Sequence, residues 1–334
     1  MRITTRRLIG RRDERQALLE LKHGLIDEAD RLASWVGENN DCCKWAGIVC
    51  DNFTHHVHKI HLPDTDEYEY TSITNMQWLS SLRWLHHLDL SNMDLSQATY
   101  WLQVINTLPS LVELHLSHSQ LVHIDPYVAN LNVTSLSLLD LSGNDFNNSY
   151  VLQWIFSQTS LLSLDLSGCG LHGPIPSSIG SFHNLTSLES LHVRGNDFMS
   201  SSVLKGLSSV GGNPISLDIR SCGISSSVLG ALHNLTSILS LELSSNVLNN
   251  TIPASLGNLC NLRHIGLDGN SFPDISLTSL LERFLGCKSP RLESLSLAAS
   301  GLSSHLPNQL GQLIYLESLQ LGNNHIDDLG SCSK

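Results

Sequence analysis

Residues 238–248 read Ile238-Leu239-Ser240-Leu241-Glu242-Leu243-Ser244-Ser245-Asn246-Val247-Leu248. Apolar and polar residues alternate from Leu239 to Leu243, which marks a short strand with one face buried. Asn246 follows where the chain must turn, and Leu248 returns to the apolar side. The same spelling recurs at Leu161-Leu162-Ser163-Leu164-Asp165-Leu166-Ser167-Gly168-Cys169-Gly170-Leu171. Written as L-x-x-L-x-x-L-x-L-x-x-N-x-L, the frame has its ninth position at Leu90, Leu116, Leu141, Leu166, Val193, Ile219, Leu243, Leu267, Leu297 and Leu321. A degenerate earlier strand is Val57-His58-Lys59-Ile60-His61-Leu62.

A period near 25 residues over ten units is that of a leucine-rich repeat, an α/β solenoid. One unit cannot bury its own leucines, but stacked neighbours bury them jointly, at about 1.5–3 kcal/mol per side chain. Ten or eleven strands about 4.8 Å apart give a solenoid roughly 50 Å long. Position 12 is Asn144, Asn196, Asn246, Asn270 and Asn324; its amide can satisfy backbone groups exposed at the turn. Met93, Ser119, Cys169, Cys222 and Ser300 stand there in the other units.

Composition agrees. Leucine supplies 62 of 334 residues and serine 49, while charged residues are 15%, an unusual balance for an enzyme. Net charge is −12 with five arginines in the first twelve residues, leaving −17 for the remainder, which argues against a nucleic-acid partner. No apolar run reaches the length of a membrane span, and the basic start at Met1 to Arg12 lacks the apolar core of a secretory signal.

Ahead of the repeats, Glu14-Arg15-Gln16-Ala17-Leu18-Leu19-Glu20-Leu21-Lys22 has helical spacing, with Asp13 as a candidate N-cap. Ser34-Trp35 and Asp41-Cys42-Cys43-Lys44-Trp45-Ala46-Gly47-Ile48-Val49-Cys50 follow. This run resembles the N-terminal cap of plant leucine-rich repeats. Gly173-Pro174-Ile175-Pro176, Thr251-Ile252-Pro253 and His305-Leu306-Pro307 resemble the plant subclass that adds a second short strand. With Asn258-Leu259-Cys260-Asn261-Leu262-Arg263, residues 13–329 resemble a plant receptor-like protein of the ethylene-inducing-xylanase receptor type. The resemblance implies a right-handed superhelix with parallel strands on its concave face. The chain thus reads as a basic disordered tail at 1–12, the plant-type cap at 13–56, ten to eleven repeats at 57–329 and a tail at 330–334.

In such relatives a pair like Cys43 and Cys50 closes the cap, while Cys42 lacks the earlier cysteine that would partner it. That gap, the missing leader, and a last unit (Leu313 to Ile326) without a polar covering repeat read as a chain truncated at both ends. Cys260 and Cys287 lie in one lengthened unit, whose extra residues Asp274 to Leu285 read as a helix with Leu277, Leu280, Leu281 and Phe284 on one side; a bridge would pin it. Cys169 and Cys222 sit two units apart, beyond disulfide reach, and read as reduced asparagine substitutes. Cys332 is a tail residue. Glycosylation sequons occur at Asn52, Asn132, Asn147, Asn184, Asn234 and Asn249, none on the strand face.

Catalytic readings fail on context. Gly168-Cys169-Gly170-Leu171-His172-Gly173 matches a dinucleotide loop, but Pro174 and Pro176 cannot open the required helix. No hydrolase elbow, zinc-protease helix, kinase loop or P-loop occurs, so no catalytic residue, cofactor or metal site is expected. His55, His56, His58 and His61 read as a solvated run. Asp89, Asp140, Asp165, Asp218 and Glu242 share position 8 and read as a solvated acidic stripe, or as one that faces a ligand.

The expected function is a non-catalytic, extracellular ligand-binding ectodomain in defence or signal perception. By resemblance it sits on the outer side of the plasma membrane, binds a protein or peptide and signals through partner receptor-like kinases. A secreted inhibitor like the polygalacturonase-inhibiting proteins is the alternative. Ligand contacts are expected on the concave face at Glu113, His115, His118, His192, Arg194, Arg220 and His264, which lie between buried leucines and must point outward.

Overall fold

A computed structural model describes residues 2–25, 32–36, 41–62, 71–122, 135–146, 150–172, 182–197, 214–249, 254–287 and 289–327. The chain divides into two compact units, Met1–Leu161 and Leu162–Lys334.

The first unit opens with α1 (Arg2–Gly24). The helix therefore runs through Asp13, the expected N-cap, and into the stretch expected to be a disordered tail. No proline interrupts residues 2–24, and the arginines and leucines there are good helix formers, so the backbone continues upstream. Ala17, Leu18 and Leu21 bury the inner face of α1. Lys22 Nζ donates to the carbonyls of Leu32 and Trp35 at 2.8 and 3.0 Å, holding the next segment.

The S-W and C-C-K-W-A-G elements then make one cluster. The rings of Trp35 and Trp45 stack at 5.3 Å, Trp35 Nε1 donates to the Ala46 carbonyl, and Ala46 N donates to Ser34 Oγ. Gly47 has φ +77°, and a Cβ there would lie 2.2 Å from the His61 carbonyl oxygen, so only glycine fits. Cys43 and Cys50 are joined, with Cα atoms 5.4 Å apart, and Cys42 is free and buried. Burial pushes the Cys42 thiol up to about 11, with the Glu14 charge adding to it, so it is inert.

Strand β1 (Ile48–Cys50) pairs antiparallel with β2 (Val57–His61), a hairpin the repeat period does not foretell. From β2 onward the first unit is parallel: β3 (His87–Asp89), β4 (Glu113–His115) and β5 (Leu138–Asp140). On the opposite side lie α2 (Trp101–Ile105) and α3 (Tyr150–Ile155), where Trp101 meets Trp154 edge-on at 6.0 Å.

The second unit continues the pattern with β6 (Ser163–Asp165), β7 (Ser190–His192), β8 (Ser216–Asp218), β9 (Ser240–Glu242), β10 (His264–Gly266), β11 (Ser294–Ser296) and β13 (Ser318–Gln320). Its ladder pairs equivalent frame positions, as in Leu217 with Leu241 and Ile265 with Leu295. Leucines at positions 4, 7 and 9 are almost wholly buried, Leu161, Leu164 and Leu166 among them. In the last described unit Leu316, Leu319 and Leu321 are only half-buried.

The predicted second strand occurs at β12 (Ser303–His305), which pairs in parallel with β14 (His325–Asp327). Gly173 to Pro176 and Thr251 to Pro253 lie outside the described residues. The insert forms α4 (Leu277–Phe284), capped by Ser276 Oγ on the Ser279 N–H, and it buries Leu277, Leu280, Leu281 and Phe284. Cys260 and Cys287 are joined beside it.

Position 12 works as expected and reveals its substitutes. Asn246 Nδ2 donates to the carbonyls of Ile219 and Leu243, and Oδ1 accepts the N–H groups of Cys222 and Ile224, all at 2.9–3.0 Å. Where Ser119 stands, its Oγ donates to the Leu90 carbonyl and its own backbone carbonyl accepts the Leu95 N–H. Ser300 does the same for Leu267 and Phe272. Cys169 and Cys222 are buried and in no disulfide; Cys222 Sγ lies 3.2 Å from the Val193 carbonyl, and burial lifts its thiol to about 11. Cys332 lies outside the described residues.

Candidate functional site

The polar face of each sheet is built by positions 6 and 8, which flank the buried leucine at position 7. Strands β3 to β7 share one burial pattern, with a buried centre between two half-buried ends.

Position-8 aspartates are not a free solvated stripe. Asp89, Asp140, Asp165 and Asp218 each accept the backbone N–H two residues on, from Ser91, Ser142, Ser167 and Arg220. An aspartate there closes the turn that ends the strand, which explains the repeated L-D-L-S spelling.

In the first unit the parallel register sets His61, Asp89, His115 and Asp140 side by side, with Lys59, His87 and Glu113 in the row beside them. His61 Nδ1 lies 2.7 Å from Asp89 Oδ2, and His115 Nδ1 lies 4.0 Å from Asp140 Oδ2. His87 Nδ1 contacts the Glu113 carboxylate. The Asp140 carboxylate raises His115 above its ordinary 6.5 despite burial, and Asp89 adds to it. Burial lowers His87, and the Lys59 charge adds to it, against the pull of Glu113.

Of the expected contacts here, Glu113 and His115 come together. His118 sits in the turn after β4 with φ 53°, its ring over Gly143, where a Cβ would lie 2.3 Å from Nδ1. The sequence reading passed over His87, whose only signal is its position 6 in the frame. The histidine run is also partnered: His56 Nδ1 meets buried Glu14 at 2.9 Å, and His58 stacks on His86 at 4.1 Å.

In the second unit His192 Nδ1 lies 3.8 Å from Asp165, and its Nε2 lies 3.0 Å from Ser190 Oγ. Arg194 is exposed in the turn that follows the same strand. Arg220 Nε donates to both Asp218 oxygens at 2.9 and 3.0 Å. His264 lies 3.8 Å from Glu293, which also accepts from Arg263. The Glu242 carboxylate lies over Gly266, filling the place of the absent side chain. Burial raises Glu242, against the pull of Arg220.

Asp218 is 5% exposed, and burial alone would raise it; the hydrogen bonds and charge of Arg220 outweigh that and hold it below its ordinary 3.8. A depressed carboxylate contributes stability above its unfolded value, and this is lost as pH falls through the folded value. Arg220→Ala should therefore lower stability at pH 7 more than at pH 2. Thermal midpoints across that range check it, and a uniform loss would contradict it.

Asn52, Asn184 and Asn249 are exposed. The side chain of Asn234 and all of Asn132 and Asn147 lie outside the described residues.

Comparison with known proteins agrees with this geometry. Residues 11–51 match the leucine rich repeat N-terminal domain family, and residues 160–182 match the leucine rich repeat family. Receptor-like protein EIX1 of tomato (Solanum lycopersicum) is 31% identical over 77% of this chain and 26% of its own length. The chain is a leucine-rich-repeat protein similar to plant receptor-like proteins. Receptor-like protein EIX2 of tomato is 30% identical over 55% of this chain and 26% of its own length. The chain thus spans about a quarter of the length of these relatives. Among solved structures, the Arabidopsis receptor kinase HAESA in complex with the peptide hormone IDA and the co-receptor SERK1 superposes with TM-score 0.69. It is 26% identical and covers 94% of this chain and 54% of its own. Among the described residues, no helix is long and apolar enough to cross a membrane.

Proposed function

We propose that this leucine-rich-repeat segment perceives an extracellular protein or peptide ligand for a plant cell-surface receptor-like protein. It binds without catalysis, and partner receptor-like kinases carry the signal. The strand face carries the reading. In each unit, histidines and carboxylates stand on regularly spaced strands over buried leucines, an extended polar surface suited to a chain laid across it. The full receptor would sit at the plasma membrane with this part outside, in defence or signal perception. Asn52, Asn184 and Asn249 could carry glycans without touching that face. Similarity to EIX1 and EIX2 favours a receptor over a secreted polygalacturonase-inhibitor-like protein.

The test selects binders from a displayed peptide library against the folded chain. His192→Ala and Arg194→Ala should each weaken the selected peptides about tenfold, as losing one charge-assisted contact does. Gln97→Ala and Tyr100→Ala, on the opposite side of the repeats, should leave affinity unchanged. The reverse pattern would refute the reading.

A further inference from the structure

We propose that His87, Glu113 and His115 form a binding site for a divalent transition-metal ion of the zinc type. The parallel register pairs His87 with Glu113 and Asp89 with His115 across β3 and β4. Residues two apart on a strand share a face, so these four occupy the corners of a rectangle. Imidazoles stand on one diagonal and carboxylates on the other. One ligand atom from each of His87, Glu113 and His115 lies within 4.8 Å of the others, and all three residues are half-buried. Among the described residues this is the only such group of three.

Zinc holds nitrogen and oxygen ligands at roughly 2.0–2.2 Å, so two ligands on one ion stand at most about 4 Å apart. Small side-chain rotations close the remaining gap. The Glu113 carboxylate already reaches His87 Nδ1. A neutral imidazole can carry its proton on Nε2 instead, which frees Nδ1 for an ion. Two imidazoles and one carboxylate suit zinc, copper or nickel rather than calcium or magnesium, which prefer oxygen.

The surroundings orient the set. Asp140 stands 4.0 Å from His115 Nδ1, in the place of a carboxylate that fixes a ligating histidine from behind. Asp89, the fourth corner, is held by His61 Nδ1 at 2.7 Å and by the Ser91 N–H at 3.1 Å. With those two bonds made, Asp89 is not among the three ligand groups that converge. Buried Leu88, next to His87, and buried Leu114, between Glu113 and His115, hold the backbone in place. Elsewhere the histidines of this face meet carboxylates in pairs, as His192 with Asp165 and His264 with Glu293.

The site is independent of the ligand-binding reading. The test titrates the chelator-treated full chain with Zn²⁺ by calorimetry and with Co²⁺ by visible absorption. One equivalent should bind with the ligand-field bands of a nitrogen- and oxygen-ligated cobalt ion. With 17 histidines in the chain, weaker background uptake is expected and is measured with His264→Ala, which should retain the site. His87→Ala and His115→Ala should lose at least about tenfold in affinity for that equivalent, since even outer-shell partners cost that much. Glu113→Gln keeps the side-chain shape and should lose as much while its circular dichroism stays unchanged. Uptake by these variants equal to the parent, or an equal loss in His264→Ala, would overturn the proposal.

Discussion

Asn246→Ala should destabilise the second unit by about 3–5 kcal/mol, because it takes the side-chain partner from two buried N–H groups and the Ile219 carbonyl at once, while the Leu243 carbonyl keeps its bond from Asn270 Nδ2. Each such group costs about 1–3 kcal/mol when left unpaired, and neighbouring losses are not fully additive. The four bonds join one repeat to the next: Ile219, Cys222 and Ile224 belong to the preceding unit and Leu243 to its own. Ser119→Ala should cost far less, about 0.5–1.5 kcal/mol, since it loses the Oγ bonds while the Ser119 backbone carbonyl still accepts the Leu95 N–H. Urea unfolding of the two variants checks the contrast. Equal midpoints would mean that the ladder is not what joins the repeats.

Leu241→Ala should cost about 2–5 kcal/mol, the range for emptying a fully buried leucine site. Leu241 is wholly buried, with Leu217 and Ile265 paired to it on either side. Leu319 holds the same frame position on β13 but is only half-buried, and Ile314 and Tyr315, earlier in the same repeat, are 77% and 53% exposed. Leu319→Ala should therefore cost well under half as much. Thermal unfolding of both variants separates the outcomes; equal losses would contradict the burial gradient along the frame.

The fold was legible because stacking imposes a period, and ten units spell it. The cap was legible for a similar reason: Trp35 and Trp45 stack in one cluster, and Gly47 fills a place that only glycine fits. Other features depend on contacts that a one-dimensional pattern does not carry. Helix α1 runs past Asp13 because nothing upstream stops it. The serine substitutes at position 12 recruit their own backbone carbonyls, which side-chain identity does not reveal. The position-8 aspartates look like surface charge in sequence, yet they accept backbone N–H groups and belong to the turn. His87 and His115 are 28 positions apart and become neighbours only when adjacent strands are laid in register, so a reading made one residue at a time misses the triad. Glu113 and His115 were legible as outward-facing residues, because alternation about Leu114 is purely local.

The central claim is that ligands bind on the strand face, and covalent footprinting of histidines and carboxylates tests it most directly. The chain is labelled alone and with a peptide selected for binding, and protection is read by mass spectrometry. Protection should fall on strand-face residues such as His192, His264 and Glu242, while Glu20 and His172, away from the strands, stay equally reactive. Protection confined to Glu20, His172 and their neighbours, with the strand face unchanged, would contradict the account.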